Sequence, residues 1–218
     1  MTLAWVVPAL WLTVAGGVAV AGVAGKDRGT GDPASDTAES APAEMSAWSF
    51  STRTMGTLAT VQIVGGDSLA AADLAYDALV GFHEADALLS NWTDASEIAR
   101  VNREAGQGWS SLGPELLMIL DTAAEVYIQS AGTFDPTIEP LVRAWGFLGG
   151  TPQVPDASEI ERARALVGWP RVELDLSAAR IRFEDPAMRL DLGGIAKGYS
   201  VDLVAAQLMA AGVTGQSR

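Results

Sequence analysis

Between Leu3 and Gly25 the chain carries no charged residue, and from Lys26 to Ala47 it carries almost nothing that builds a core. These two neighbouring segments fix where a globular fold can begin. The first, LAWVVPALWLTVAGGVAVAGVAG, falls in length between a signal-peptide core and a transmembrane helix. Its glycines, its valines and Pro8 make a poor soluble helix. The expectation for residues 1–25 is therefore a signal peptide, with cleavage at Ala19-Val20-Ala21 or Gly22-Val23-Ala24, or a membrane-anchor helix. Lys26 and Arg28 follow the run and no basic residue precedes it, the reverse of the usual export asymmetry. Export remains the favoured expectation, placing the protein in the cell envelope, periplasmic (extracytoplasmic) or membrane-anchored through the N-terminal helix if it is uncleaved.

Residues 26–47, KDRGTGDPASDTAESAPAEMSA, are rich in Ala, Ser, Pro, Gly and acids. Their apolar area is too small to offset ordering entropy, which predicts a flexible linker. The folded domain is then expected over 48–218. Its surface is acidic: Lys+Arg number 14 and Asp+Glu 27, for a formal charge of −13. That charge repels phosphate backbones and argues against non-specific nucleic-acid binding. The chain has no Cys and one His, so disulfide scaffolds, thiolate zinc sites, iron–sulfur clusters, cysteine nucleophiles and multi-histidine metal sites are excluded. The lone His83 sits in mid-helix and reads as structural.

Periodicity predicts an α+β domain. Leu58 to Val64 alternates as a strand, with Ala59, Val61 and Ile63 on one face. Ser68 to Leu89 carries Ala72, Ala75, Leu79 and Phe82 at helical spacing, with Ser68 as candidate N-cap. A second helix is expected over Pro114 to Ser130, with Leu116, Leu120, Ala123 and Tyr127 on one face and Gly132 as its stop. A third, over Asp156 to Val167, opens with the Asp-x-x-Glu capping-box pattern. Three short strands are expected next, around Val172–Leu176, Ile181–Phe183 and Met188–Leu192, the first two joined as a hairpin at Ser177-Ala178-Ala179. A helix over Ile195 to Ala211 follows Gly193-Gly194. The fold class is a mixed, largely antiparallel sheet with packed helices.

Four stretches are candidates for chemistry. In Arg189 to Asp202, RLDLGGIAKGYSVD, a strand delivers Asp191 to a Gly-Gly turn, and a helix starts with Lys197 in its first turn. Free N–H groups at a helix start and a nearby Lys suit a phosphate or pyrophosphate; the same pattern also fits an ordinary strand-to-helix turn. In Gly132 to Phe147, GTFDPTIEPLVRAWGF, two prolines predict an irregular loop displaying Thr133, Asp135, Thr137 and Glu139. These groups suit ribose hydroxyls, or else Asp135 caps backbone N–H groups in an Asx-Pro turn. In Ser90 to Asn102, Trp92 follows a helix end and offers either a stacking surface or a core indole. Met55-Gly56-Thr57 reads most simply as a strand-entry turn.

Taken together, these stretches resemble the ApbE family, the FAD:protein FMN transferases. The match comprises M-G-T (Met55 to Thr57), L-S-x-W…S-E-I…N (Leu89 to Asn102), G-T-F-D-P-T…P-L-V…W-G-F (Gly132 to Phe147) and D-L-G-G-I-A-K-G-Y-x-V-D (Asp191 to Asp202). The resemblance implies an ApbE-type fold and an enzyme that cleaves the pyrophosphate of FAD. FMN moves onto a Thr or Ser hydroxyl of an acceptor flavoprotein of a membrane redox complex, and AMP leaves, with Mg²⁺ required. It implies that Met55 and Trp92 contact the flavin or its surroundings and that Thr133, Phe134 and Asp135 line the FAD site. Asp191 and Lys197 would hold the nucleotide and phosphates as the catalytic pair, and Gly194 would offer a backbone carbonyl to the metal.

The family pattern runs on past the helix expected to end near Ala211, with further strands and a late Asp/Thr cluster that supplies most metal ligands. This sequence stops at Arg218, which predicts an incomplete transferase domain that is poorly active alone. A hydrolytic FAD pyrophosphatase, a non-catalytic FAD-binding protein and an inactive remnant are the alternatives.

Overall fold

The computed structural model describes residues 10–14, 17–23, 46–65 and 67–217 of the 218-residue chain. Two compact units result: residues 1–83 with 200–218, and residues 84–199. The expected linker over 26–47 lies outside the described residues. So does most of the expected leader over 1–25. Where the backbone is described within that leader it is extended, in β1 (Leu10–Val14) and β2 (Gly17–Val23). No helix among the described residues is long and apolar enough to cross a membrane.

The first unit is built on β3 (Ala47–Thr54) and β4 (Thr57–Val64), paired antiparallel with Thr54 opposite Thr57. The loop between them is Met55-Gly56, with φ of 48° and 68°. Two successive left-handed residues are what a tight type I′ hairpin requires, and they match the twist of the strands it joins. The expected strand entry at Met55-Gly56-Thr57 is thus the turn of a hairpin. With β8 (Val213–Ser217) the strands form a five-stranded sheet in the order β3-β4-β1-β2-β8, every neighbouring pair antiparallel.

Alternation along β4 buries Ala59, Val61 and Ile63, as the sequence predicts. They pack in one cluster with Ala71, Ala75, Ala78 and Phe82 of α1 (Ser68–Leu89) and Val201, Val204 and Leu208 of α6 (Gly193–Ala210). Small residues on α1 let the helix approach the sheet closely, and Phe82 fills the volume they leave. The cap of α1 is Asp67 and not Ser68. Asp67 Oδ1 accepts the N–H groups of both Leu69 and Ala70 at 2.9 Å, and an ionised acceptor is the stronger partner for the positive helix end. His83 donates or accepts across to Thr52 Oγ1 at 2.9 Å, in keeping with a structural role.

The second unit is mostly helical. α3 (Pro114–Gln129) carries Pro at its start and buries Leu116, Ile119, Leu120 and Ala123, close to the expected face. Tyr127 lies outside that buried set. α5 (Ala157–Arg164) has the complete capping box: Asp156 accepts from Glu159 N, and the Glu159 carboxylate accepts from Asp156 N. Two helices escaped the sequence reading. α2 (Glu97–Glu104) starts at Ser96, whose hydroxyl caps Ala99 N. α4 (Glu139–Ala144) sits inside the stretch expected to be loop. Pro140 does not break α4 because it occupies the first turn, where its missing N–H would be unpaired anyway.

β5 (Ser110–Ser111), β6 (Val172–Asp175) and β7 (Arg180–Phe183) make a small antiparallel sheet in the order β5-β7-β6. The β6–β7 hairpin turns at Ser177-Ala178-Ala179, as expected. On one of its faces the guanidinium carbons of Arg180 and Arg182 lie 4.4 and 4.8 Å from the Trp109 ring centre. Glu173 accepts from Arg182 with both oxygens, at 2.6 and 2.7 Å. At the turn, Asp175 is held down to about 2 from an ordinary 3.8, first by the Ser177 hydroxyl and then by the Ala178 N–H. A depressed carboxylate contributes stability above its unfolded value and loses it as pH falls through the folded one. The hairpin is therefore expected to weaken only between about pH 4 and pH 2. Carboxyl NMR titration checks this. Ser177→Ala should move the Asp175 midpoint upward; an unmoved midpoint would remove the hydroxyl as its cause.

The third expected strand, Met188–Leu192, is a correction. Met188, Leu190 and Leu192 are fully buried, so the alternation was real. Among the described residues no strand pairs with the segment, because side chains hold the backbone of its central residue. Asn102 Oδ1 accepts from Leu190 N at 2.7 Å, and the Asn102 and Asn91 amides both donate to Leu190 O at 2.9 Å. Asn102 Nδ2 also donates to Asn91 Oδ1 at 3.1 Å. The two asparagines thus satisfy both backbone groups of one buried residue.

Candidate functional site

The site is organised by the turn into α6. Asp191 Oδ1 accepts the Gly193 N–H at 2.7 Å, and the Leu192 carbonyl accepts from Ile195 and Ala196 at 2.9 and 2.8 Å. Asp191 therefore caps the first turn with one carboxylate oxygen. Among the described residues nothing donates to the other. Lys197 Nζ reaches back to the Gly193 carbonyl at 3.1 Å, so the ammonium is held beside the two glycines and not extended into solvent. Burial raises the Tyr199 phenol further above its ordinary value, with a smaller push from Glu115, which keeps the hydroxyl protonated.

The Gly132–Phe147 stretch comes to this turn through two contacts. Asp191 N donates to the Pro136 carbonyl at 2.8 Å. The Phe134 ring covers Gly194, where an added Cβ would sit 3.1 Å from Phe134 Cε2. Glycine at 194 thus lets the aromatic ring approach the backbone closely, and a larger residue would have to move the Phe134 ring by a few tenths of an ångström. Thr133 Oγ1 donates to the Ser130 carbonyl at 2.7 Å and the Ser130 hydroxyl accepts Phe134 N at 3.0 Å, so the end of α3 sets the ring's position.

Asp135 is used locally. Its Oδ1 accepts from Thr137 N at 2.8 Å and from the Thr137 hydroxyl at 2.6 Å, and Oδ2 accepts from Trp169 N at 3.1 Å. Thr137, fully buried, accepts Gly168 N at 2.7 Å. Of the two sequence readings, the Asx-Pro cap is the one this geometry realises. Glu139 is not displayed either: it is buried and paired with Arg143 at 2.6 Å. Trp92 is 69% exposed, leaving its indole face open for stacking. Met55 belongs to the first unit, at the hairpin turn with positive φ.

Phe134, Asp191, Gly194 and Lys197 thus gather at one turn, and Thr133 and Asp135 brace it. Asn91, Asn102, Ser130 and Thr137 were missed as positioning residues. Asn102 left a signal: an Asn beside Val101 on the apolar face of a short helix must be hydrogen-bonded if buried. Asn102→Ala is expected to cost about 2 kcal/mol, since Leu190 N–H is stranded while Asn91 keeps the carbonyl partnered. Urea unfolding with an unchanged m-value checks this; a loss below about 0.5 kcal/mol would show that Leu190 finds another acceptor.

The sequence profile of the ApbE family matches residues 55–216. An FAD:protein FMN transferase of Chlamydia pneumoniae is 32% identical over 144 residues, covering 65% of this chain and 46% of that protein. One of Salmonella typhimurium is 29% identical over 179 residues, covering 80% and 50%. One of Rhodobacter capsulatus is 37% identical over 110 residues, covering 50% and 21%. The chain therefore spans half or less of the length of these relatives. Among solved structures, the flavin transferase ApbE of Vibrio cholerae superposes with a TM-score of 0.70 at 25% identity, covering 78% of this chain and 55% of that one. The apo flavinyl transferase ApbE of Pseudomonas stutzeri gives 0.69 at 31% identity, covering 80% and 56%. The expected mixed, antiparallel ApbE-type fold is therefore found.

Proposed function

Because this chain belongs to the ApbE family, we propose that its Asp191–Lys197 turn seats the pyrophosphate of FAD in a flavin-transfer reaction. The observation that carries the reading is the joining of the two specific motifs: Asp191 N on the Pro136 carbonyl and Phe134 over Gly194. Residues 55 and 60 apart in sequence have no local reason to meet; a shared ligand gives one.

In the proposed reaction a Thr or Ser hydroxyl of an acceptor flavoprotein attacks the phosphorus on the FMN side of FAD. A new phosphoester bond forms, the P–O–P bridge breaks, the hydroxyl proton is lost, and AMP leaves with the bridging oxygen. Phosphoryl transfer asks for alignment and charge neutralisation more than covalent catalysis. Lys197 supplies a positive charge, and the Gly194 N–H supplies a donor, since the Gly193, Ile195 and Ala196 N–H groups are already bonded to Asp191 and the Leu192 carbonyl. Asp191 holds the turn with one oxygen. Phe134, together with exposed Trp92, offers apolar faces for the ring systems, with Thr133 and Asp135 fixing the wall.

Mg²⁺ takes one or two protein oxygens and completes its shell with substrate phosphates and water. The residues here fit that small role through the Gly194 carbonyl and the spare Asp191 oxygen; among the described residues no group of three or more His, Asp or Glu is placed to hold a metal. A bound Mg²⁺ would neutralise charge developing on the transferred phosphoryl group. The acceptor is proposed to be a flavoprotein of a membrane redox complex, reached from the cell envelope, to which the apolar run Leu3–Gly25 would direct the chain.

Titrating FAD against the chain and following flavin fluorescence tests the seat. Lys197→Ala is expected to weaken FAD at least tenfold, about 1.4 kcal/mol. Equal affinity for the two proteins would end this assignment. Adding Mg²⁺ and an acceptor, then measuring AMP release and covalent flavin, separates transfer from hydrolysis, since only hydrolysis releases AMP without an acceptor.

A further inference from the structure

The chain is strongly acidic, yet one cavity of about 680 Å³ in the second unit gathers Arg103, Arg143, Arg162 and Arg189. Four guanidinium groups around one space repel one another unless anions answer them. Only Arg143 is fully answered, by Glu139 at 2.6 Å. Arg103 donates to the Asp94 carbonyl at 2.7 Å and lies 4.0 Å from the exposed Asp94 carboxylate. Arg162 donates to the Ser158 hydroxyl at 2.8 Å, and Arg189 to the Pro186 and Met188 carbonyls at 2.6 Å. Among the described residues neither Arg162 nor Arg189 has a carboxylate within ion-pair distance. Glu159, also on the wall, spends an oxygen on Asp156 N at 3.1 Å.

The rest of the lining combines the amides of Asn91, Asn102 and Gln153 with apolar surface from Ala99, Pro140, Ala144, Ala163, Leu166 and Ala187. Apolar and amide surface beside guanidinium groups suits a ligand with an organic body and an anionic head. The volume lies within the usual range for small-molecule sites, roughly 300–1,000 Å³. None of Trp92, Phe134, Asp135, Asp191, Gly194 or Lys197 lines it, so it is distinct from the proposed FAD seat.

We propose that this cleft binds a small organic phosphate, its body against the alanine and proline side chains of the lining and its phosphate on Arg162 and Arg189. Guanidinium forks match phosphate oxygens in pairs, and two forks lacking a carboxylate suit a dianion better than a single carboxylate would.

The test is calorimetric titration of the full chain with AMP, glycerol 2-phosphate and inorganic phosphate at low salt. Both esters are expected to bind, more tightly than inorganic phosphate, and the double variant Arg162→Gln/Arg189→Gln should weaken them at least tenfold. If that variant lowers the urea midpoint, the Lys/Lys pair carries the test, since it keeps both charges and loses the forks. FAD titration by flavin fluorescence should be unchanged in either variant, so failure of the cleft and failure of the FAD seat are read separately. Three results would each overturn the proposal: no ester binding at millimolar concentration, ester binding abolished by Lys197→Ala but not by the arginine variants, or inorganic phosphate binding as tightly as the esters. Tighter binding of an Asp/Glu-rich peptide than of AMP would also overturn it, marking a protein-docking face instead.

Discussion

Asp135→Ala is expected to destabilise the chain by about 4 kcal/mol, because three donors lose their acceptor at once. Thr137 N, the Thr137 hydroxyl and Trp169 N all point at this carboxylate, and both Thr137 and Trp169 are buried. Each stranded buried donor costs about 1–3 kcal/mol, and bonds to an ionised acceptor sit high in that range. Asp135→Asn separates charge from shape: its oxygen can still serve Thr137, but its NH₂ then faces the Trp169 N–H. An intermediate loss of about 2 kcal/mol is expected. Urea midpoints for the two variants provide the check. If Asp135→Ala left the midpoint in place while FAD binding collapsed, the residue would be a ligand contact and not a brace.

A loss of similar size is expected for Gly146→Ala. Gly146 ends α4 with φ of 72°, donating its N–H to the Arg143 carbonyl at 2.9 Å. A Cβ there would overlap the Thr151 carbonyl oxygen and carbon, which are backbone atoms and cannot swing aside. The left-handed conformation costs a non-glycine residue about 1–2 kcal/mol, and forced backbone displacement adds about 1–3 kcal/mol. The total, about 4 kcal/mol, should appear as a shifted unfolding midpoint together with loss of the Gln153 N to Trp145 carbonyl bond, visible by amide exchange. Full-strength protection of Gln153 in the variant would refute the overlap.

What the sequence made legible was whatever its own neighbours decide. Asp156 and Glu159 are three apart, and their capping box formed as expected. The β6–β7 hairpin follows from alternation on both sides of a short polar turn. The β4 face and the α3 face follow from period alone. The misreadings share another cause: a distant or unexpected partner. Met188–Leu192 alternates like a strand, but the backbone of its central Leu190 is held by the side chains of Asn91 and Asn102. Pro140 looked like a breaker until its place in the first turn of α4 was known. Ser68 looked like a cap one residue away from the carboxylate that does the capping. In the candidate site, motif positions named Phe134, Gly194, Asp191 and Lys197 as a group. Only the coordinates show that Asp135 turns inward to hold Thr137 and Trp169, and that Phe134 lies on Gly194.

The bond between Asn102 and Leu190 spans 88 positions. A ribosome has therefore to translate past Leu190 before the backbone ahead of Asp191 can be clamped, whatever helices have already formed upstream. Closing so long a loop is slow relative to local helix growth. Nascent chains arrested short of Leu190 should consequently expose an unclamped, buriable Asn102, and acquire protease resistance around α2 abruptly once that leucine emerges.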